Sequence, residues 1–223
     1  MPQLPVGEER AKADLVHHVG PILRRSALLG FLGGMAIDEQ IDHALGFRRA
    51  VEAELNRPPT SALDLGSGGG IPGLVLTAVW PATQWVYLDA SERRTDFLRE
   101  EVETWGISER VKVVRGRAEE MGRDPTLRGA FDVVTARSFG SPAVTAECAA
   151  PFLRLGGLLV VSEPPDTDPT ERWPVEGLAV VGLVPSSSYR HEGRFGFQMI
   201  EKQVETPDRF PRRTGIPAKR QLF

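Results

Sequence analysis

Apolar residues recur at helical intervals in the first part of the chain. They are irregularly spaced over residues 11–32 and repeat more regularly over residues 38–55. Asp38 stands at the start of the second stretch as a candidate N-cap, and Arg57-Pro58-Pro59 ends it, because the residue before a proline disfavours helix. The pattern predicts an N-terminal helical extension over residues 1–57.

From residue 58 onward, short apolar runs alternate with helical segments. The runs predict strands over residues 62–65, 85–88, 111–114, 131–136 and 157–161, and the segments predict helices over 72–80, 93–105 and 143–153. Such alternation is typical of α/β proteins in which helices cover both faces of a mainly parallel sheet. We therefore expect a doubly wound, Rossmann-like core over residues 58–205.

Two further strand candidates, residues 178–184 and 195–204, have no obvious helix between them. They predict a terminal hairpin that pairs antiparallel at one edge of the sheet, which brings the sheet to seven strands. Residues 206–223 then form a basic C-terminal tail without any acid after Asp208. The cations of this tail are Arg209, Arg212, Arg213, Lys219 and Arg220.

Composition narrows the class of protein. The chain has 223 residues, with 41% hydrophobic and 26% charged residues, which is typical of a globular fold. The single cysteine, Cys148, excludes an internal disulfide and a cysteine-built metal site, and we expect no metal. No apolar run is long enough for a bilayer and no secretory signal opens the chain, so we expect a cytoplasmic monomer without a membrane partner.

The net charge of −3 means that a nucleic-acid partner would have to meet a local basic patch. The basic tail is the candidate, and a solvated tail without a partner is the alternative.

A glycine-rich turn follows the first predicted strand. The strand ends at Asp64 and runs into Gly66-Ser67-Gly68-Gly69-Gly70-Ile71-Pro72-Gly73. Glycine permits positive φ and lets a ligand approach the main chain, and Pro72 suits the first turn of a helix whose free N–H groups would face the ligand. The spacing G-x-G-x-x-G in residues 68–73 also fits a dinucleotide. A purely structural turn is a third interpretation.

Two features favour S-adenosylmethionine over a dinucleotide. Asp64 followed by Gly66, Gly68 and Gly70 is a methyltransferase pattern, in which the acid and the backbone address the ammonium and carboxylate of a methionine moiety. Ala118-Glu119 follows the third strand, where methyltransferases contact adenine. Asp89 ends the second strand and could hold ribose hydroxyls, but a dinucleotide enzyme would use it too. Ile71 completes the predicted cofactor loop.

The chain resembles the ribosomal RNA small subunit methyltransferase G family, also called glucose-inhibited division protein B, in several motifs that occur in the same order. The loop includes the trailing Pro72-Gly73 that most methyltransferases lack. The matching motifs are residues 64–73, Leu88-Asp89-Ala90, Arg93-Arg94 with Phe97-Leu98, Arg117-Ala118-Glu119, Thr135-Ala136-Arg137-Ser138-Phe139 and residues 211–222. The resemblance implies a class I S-adenosylmethionine-dependent methyltransferase fold.

The resemblance further implies methyl transfer to N7 of one guanosine in 16S ribosomal RNA, alone or in the small ribosomal subunit. Guanine N7 has a lone pair and no proton to lose, so this chemistry needs positioning and no general base. Arg137 is the candidate catalytic residue, beside the cofactor and able to reach the cofactor carboxylate, the guanine or a phosphate; a structural salt bridge is the alternative. Arg212, Arg213, Lys219 and Arg220 are the candidate RNA-binding residues.

The chain departs from the family in two places on the substrate side. Ser162-Glu163-Pro164 stands where the family usually carries a Lys-Gly pair, and the N-terminal region lacks the family's Asn-Leu-Thr stretch. Asp42-His43 marks the family's histidine-containing helix, where a packing role for His43 is expected. These departures keep two alternatives open: a methyltransferase of small molecules, and a non-catalytic RNA-binding relative.

Overall fold

The computed structural model describes residues 15–164 and 168–223. The predicted seven-stranded, doubly wound α/β fold is confirmed. The strands are β1 Ser61–Leu65, β2 Gln84–Asp89, β3 Val111–Arg115, β4 Phe131–Ala136, β5 Leu153–Glu163, β6 Leu183–His191 and β7 Phe195–Lys202. The helices are α1 Gly20–Leu28, α2 Ile37–Leu55, α3 Gly73–Val79, α4 Glu92–Thr104, α5 Ala118–Met121, α6 Pro142–Ala149, α7 Pro169–Arg172, α8 Val175–Ala179 and α9 Ile216–Lys219.

The strands follow the order β3-β2-β1-β4-β5-β7-β6. The first five are parallel, and the expected terminal hairpin adds β7 antiparallel to β5, with β6 at the edge. The chain leaves β1 toward β2 and β3 on one side and returns to β4 on the other. This reversal opens a crevice at the carboxyl ends of β1 and β4, where open α/β sheets bind their ligands.

Successive residues of the buried strands pack on opposite faces of the sheet. Ala62 lies in one hydrophobic cluster and Leu63 in the other, and Val133 and Val134 alternate in the same way. This is the two-residue period of a strand that is covered on both faces. Val19, Leu23, Ile41 and Phe47 of the N-terminal extension are fully buried in the first cluster. The extension therefore shares the core with the sheet.

Several predicted boundaries need correction. The strand predicted over 178–184 is wrong at its start, because Pro174 caps helix α8 and the strand begins only at Leu183. The helix predicted over 143–153 ends at Ala149 and continues as a 3-10 turn, Ala150–Phe152, since Pro151 cannot continue an α-helix. Asp38 is not the N-cap of α2; Ala36 is, and Asp38 lies in the first turn. The helix predicted over 11–32 is described only from residue 15, and residues 11–14 lie outside the described part.

The C-terminal tail packs against the core. Phe210 is buried in the second cluster, and Leu222 and Phe223 are half-buried against it. Arg128 donates to the backbone oxygens of Thr206 and Phe210 at 2.7 and 3.0 Å. In the described ranges no helix has both the length and the apolar character that a bilayer span requires.

Candidate functional site

Two cavities of about 180 Å³ each lie at the carboxyl ends of β1, β2 and β4. They share Gly66, Arg94 and Ser138 in their walls and thus form one elongated cleft. The first cavity extends toward Asp89 and the loop after β3. The second extends over the glycine loop toward Arg137 and the N-terminal extension.

The first cavity brings together four of the predicted residues, Gly66, Asp89, Ala118 and Glu119. Asp89 Oδ2 accepts a hydrogen bond from the Gly68 N–H and Oδ1 accepts one from the Ser91 N–H, both at 2.8 Å. Each carboxylate oxygen has a second lone pair for a ligand hydroxyl. The carboxylate is thereby held in place at the end of β2.

The second cavity is lined by Gly66, Gly68 and Ile71 of the loop and by Arg137 after β4. Arg137 Nη1 donates to Gln40 Oε1 at 3.0 Å. Gln40 is fully buried, and its Nε2 donates to the backbone oxygens of Gly33 and Met35 at 3.3 and 3.2 Å. The N-terminal extension therefore fixes the guanidinium that faces the cleft.

The glycines of the loop serve different purposes. Gly66 has φ +71°, and a Cβ there would lie 2.7 Å from the ring of Phe139. Gly68 faces open space, since a Cβ there would meet nothing nearer than the Gly66 oxygen at 3.6 Å. Gly70, by contrast, lines neither cavity: a Cβ there would collide with Leu74 in the core. Gly70 thus permits packing of the loop against helix α3.

Asp64 also lies behind the cleft and lines neither cavity. Its Oδ1 accepts from Thr135 Oγ1 at 2.9 Å, and its Oδ2 accepts from the Gly73 N–H at 3.1 Å. This N–H at the start of α3 was expected to face the ligand, but it is taken by Asp64. Burial raises the pKa of Asp64 to about 7, although these two hydrogen bonds act to lower it. Asp64 fastens β1 to β4 and to the loop.

His43 has the packing environment expected of it. Its ring is buried against Phe47, Phe195 and Phe197 at centroid distances of 5.5, 4.9 and 5.4 Å. Burial, with the positive charge of Arg137 nearby, lowers the pKa of His43 to about 3. The imidazole is therefore neutral and a weak base.

Glu163, at the departure from the family pattern, is not a free negative charge at the cleft. Its Oε2 accepts from Arg172 Nε of α7 at 2.5 Å, and its side chain is 10% exposed. An arginine from the following helix thus supplies a cation beside this acid. Residues 165–167 lie outside the described part of the chain.

The four tail residues predicted to bind RNA do not share one environment. Arg213, Lys219 and Arg220 are exposed. Arg212 instead forms an ion pair with Glu147, which is completely buried, at 2.6 Å from Nη2 to Oε2. Its guanidinium thus holds the tail against helix α6.

Sequence reasoning missed Gln40, Ser138 and Phe139 as parts of the site. Ser138 has φ +53°, an unusual backbone conformation for serine, at the junction of the two cavities. Phe139 packs on Gly66 from the same loop. Their position directly after β4 is a signal that could have found them, whereas no local signal marks Gln40. Within the described residues, no group of three His, Cys, Asp or Glu side chains is placed to hold a metal ion.

The cleft suits an elongated, zwitterionic nucleoside. A fixed carboxylate stands at one end, and a fixed guanidinium stands in the other half, with an unobstructed glycine backbone between them. These features and the sheet order are those of a class I S-adenosylmethionine-dependent methyltransferase.

The comparisons agree with this class. The chain is similar to an O-methyltransferase from Bacillus cereus solved in complex with SAH, with a TM-score of 0.61, 16% identity and coverage of 87% of this chain and 97% of that one. An O-methyltransferase described as putative, from Klebsiella pneumoniae, gives a TM-score of 0.60 at 15% identity with the same coverage. At such identities the likeness concerns the fold alone.

The sequence itself identifies the family. The profile of the family rRNA small subunit methyltransferase G matches residues 43–163. Ribosomal RNA small subunit methyltransferase G from Streptococcus pyogenes is 33% identical over 177 residues, which cover 77% of this chain and 74% of that one. The chain belongs to the rRNA small subunit methyltransferase G family, and its cofactor is S-adenosylmethionine.

Proposed function

We propose that this protein methylates N7 of a guanosine in 16S ribosomal RNA. The observation that carries the reaction type is the lining of the second cavity. Among the described residues, its polar side chains are Gln40, Ser67, Arg94, Arg137 and Ser138, without a carboxylate, an imidazole or an amine. An acceptor that must lose a proton would need a base there, and guanine N7 has no proton to lose.

The neighbouring titratable groups support this interpretation. His43 is near Arg137, but with a pKa of about 3 it has little capacity to take a proton. Asp64 is completely buried and bonded to Thr135 and Gly73. Glu163 is paired with Arg172. These surroundings therefore suit an acceptor atom that already has a free lone pair and does not need to lose a proton.

Each residue of the cleft has a proposed role. Bound S-adenosylmethionine supplies a methyl group on a positively charged sulfur. Asp89 accepts hydrogen bonds from the ribose hydroxyls, and Ala118 and Glu119 border the adenine. Arg137, held by Gln40, binds the carboxylate of the methionine moiety. The backbone of Gly66, Gly68 and Ile71 forms the floor between them.

The contribution of the protein is then orientation of donor and acceptor. Holding two reactants in line can lower a barrier by roughly 7–11 kcal/mol. The hydrogen bond between Gln40 and Arg137 fixes one end of this arrangement and the two hydrogen bonds to Asp89 fix the other. Asp64 and Gly70 do not line the cleft, and their role is to maintain the conformation of the glycine loop.

The partner that we propose is 16S ribosomal RNA within the small ribosomal subunit, bound by a monomer in the cytoplasm. The relatives are named ribosomal RNA small subunit methyltransferase G, which supports a ribosomal RNA substrate. Arg213, Lys219 and Arg220 are exposed and available for phosphates, whereas Arg212 supports the tail that carries them.

The experiment compares 16S ribosomal RNA from a strain that lacks the protein with RNA from the same strain complemented by wild-type protein or by Arg137→Met. We expect mass spectrometry to find one N7-methylguanosine lost in the deletion strain and restored only by the wild-type protein. An unchanged N7-methylguanosine content would overturn the proposal. Cofactor binding by a protein that methylates neither RNA nor subunits would point to a small-molecule acceptor.

A further inference from the structure

The last residues of the chain connect a buried ion pair to the cofactor cleft. We call residues 206–223 the C-terminal strap. Arg212 donates from its backbone N and Nε to Glu147 Oε1 at 2.8 and 2.9 Å, and from Nη2 to Glu147 Oε2 at 2.6 Å. The same Nη2 donates to the backbone oxygen of Arg220 at 2.6 Å. The guanidinium of Arg212 is thus bonded both to Glu147 of helix α6 and to the backbone of Arg220, eight residues further along the strap.

Between Arg212 and Arg220, the strap also contacts helix α5. The Gly215 N–H donates to Glu119 Oε1 at 2.9 Å, and Thr214 Oγ1 donates to Glu120 Oε1 at 3.0 Å. Glu119 lines the first cavity, next to Ala118. A carboxylate in the cofactor cleft is therefore oriented by a backbone group of the strap.

We propose that Arg212 is a positioning residue for cofactor binding: it anchors the strap, and the strap's Gly215 N–H fixes Glu119 at the adenine end of the cleft. The ion pair is strong because Glu147 is completely buried and is met by a planar guanidinium at both oxygens. Gly215 is the N-cap of helix α9 and has φ +79°, a backbone conformation that favours glycine. The inference rests on the proposed contact of Glu119 with the cofactor, and not on the RNA acceptor.

The direct test is the affinity for S-adenosylhomocysteine, measured by calorimetry well below the melting temperature and without RNA. We expect Arg212→Met and Glu119→Ala each to weaken binding about tenfold, which corresponds to about 1.4 kcal/mol. The double variant should be little weaker than either single variant, because both act through the same carboxylate. Arg209→Met is the matched control: it removes an exposed arginine of the same strap that lies over Phe210 and should bind within twofold of wild type.

Removal of Arg212 leaves Glu147 buried without its partner and could prevent folding. The variant Arg212→Met with Glu147→Gln removes that charge and should show the same loss of affinity. Amide hydrogen exchange supplies a readout in the cofactor-free protein, where Gly215 should exchange at least about tenfold faster in both Arg212→Met and Glu119→Ala.

The outcomes distinguish the role of Glu119 from that of Arg212. If Glu119→Ala keeps wild-type affinity, the placement of Glu119 in the cofactor site is wrong. If Glu119→Ala weakens binding but both Arg212 variants do not, the strap has a structural role only and the inference is overturned. Additive losses in the double variant would also overturn it, because Arg212 would then act by another route.

Discussion

Arg137 and Gln40, 97 residues apart in the chain, are joined by a 3.0 Å hydrogen bond from Arg137 Nη1 to Gln40 Oε1. Burial lowers the pKa of Arg137 from its ordinary value, although the nearby Asp64 carboxylate opposes this. A half-buried guanidinium remains charged and needs its donors satisfied. Gln40 provides one acceptor from the N-terminal extension, so that the extension belongs to the site.

The first prediction concerns this bond. Gln40→Leu keeps a side chain of similar size but leaves Arg137 without its acceptor, and a hydrogen bond to a charged group contributes about 1.5–3 kcal/mol. We expect binding of S-adenosylhomocysteine to weaken about tenfold or more and the rate of methyl transfer to fall, as measured by calorimetry and by a labelled-methyl assay. Gln203→Leu, an exposed glutamine on the surface, should leave both unchanged. If Gln40→Leu binds S-adenosylhomocysteine with wild-type affinity, the hydrogen bond to Gln40 is not needed to hold Arg137 in its binding position.

The parts of the site that depend on local spacing could be located from the sequence. Asp89 ends a strand and Gly66 and Glu119 come soon after one, and parallel strands bring their carboxyl ends to one edge. Gln40 could not be found in this way, because its hydrogen bond with Arg137 is a product of how the extension packs on the sheet. Nor could the sequence reveal that Arg212 faces a buried acid, since a basic tail looks the same whether its cations point to solvent or to the protein.

The glycine loop yields the second prediction. In Gly66→Ala the new Cβ would lie 2.7 Å from the ring of Phe139, in addition to the cost of φ +71°. We expect a loss of about 2–4 kcal/mol in unfolding free energy or cofactor affinity, because a clash in a packed site adds to the backbone strain. Gly129→Ala is the control, with φ +65° and nothing within 4 Å of its Cβ. Equal effects in the two variants would contradict the proposed packing of Phe139 on the loop.

The third prediction follows from Asp64. Burial raises the pKa of its carboxyl to about 7, above the ordinary 3.8 that applies when the chain is unfolded. Its contribution to stability is therefore fully present below pH 3.8 and is lost as the pH rises through 7. Asp64→Asn removes this dependence, so the stability of the variant relative to wild type should rise by up to about 1.4 kcal/mol per pH unit between those values. Urea unfolding at a series of pH values measures it.

Asp132 is the matched control for that series. Burial alone would raise its pKa, but hydrogen bonds from Arg154 and from the Thr60 and Ser61 N–H groups bring it below the ordinary value. Its contribution is present above the unfolded pKa and is lost only as the pH falls through the lower folded value. The difference between Asp132→Asn and wild type should thus stay constant over roughly pH 5 to 7. A constant difference for Asp64→Asn as well would refute the raised pKa.

The last prediction concerns the exposed cations of the strap. If Arg213, Lys219 and Arg220 meet phosphates, removal of each cation should reduce the slope of log K against log salt by about 0.7–0.9. The triple alanine variant should therefore bind the small subunit more weakly at low salt and with a slope smaller by about 2–3. Affinity for S-adenosylhomocysteine should not change, because these side chains line neither cavity. Arg99→Ala removes an exposed arginine that pairs with Asp96 on helix α4 and should keep the wild-type slope. If the triple variant also keeps that slope, the RNA surface lies elsewhere and the strap serves only the fold and the cofactor cleft.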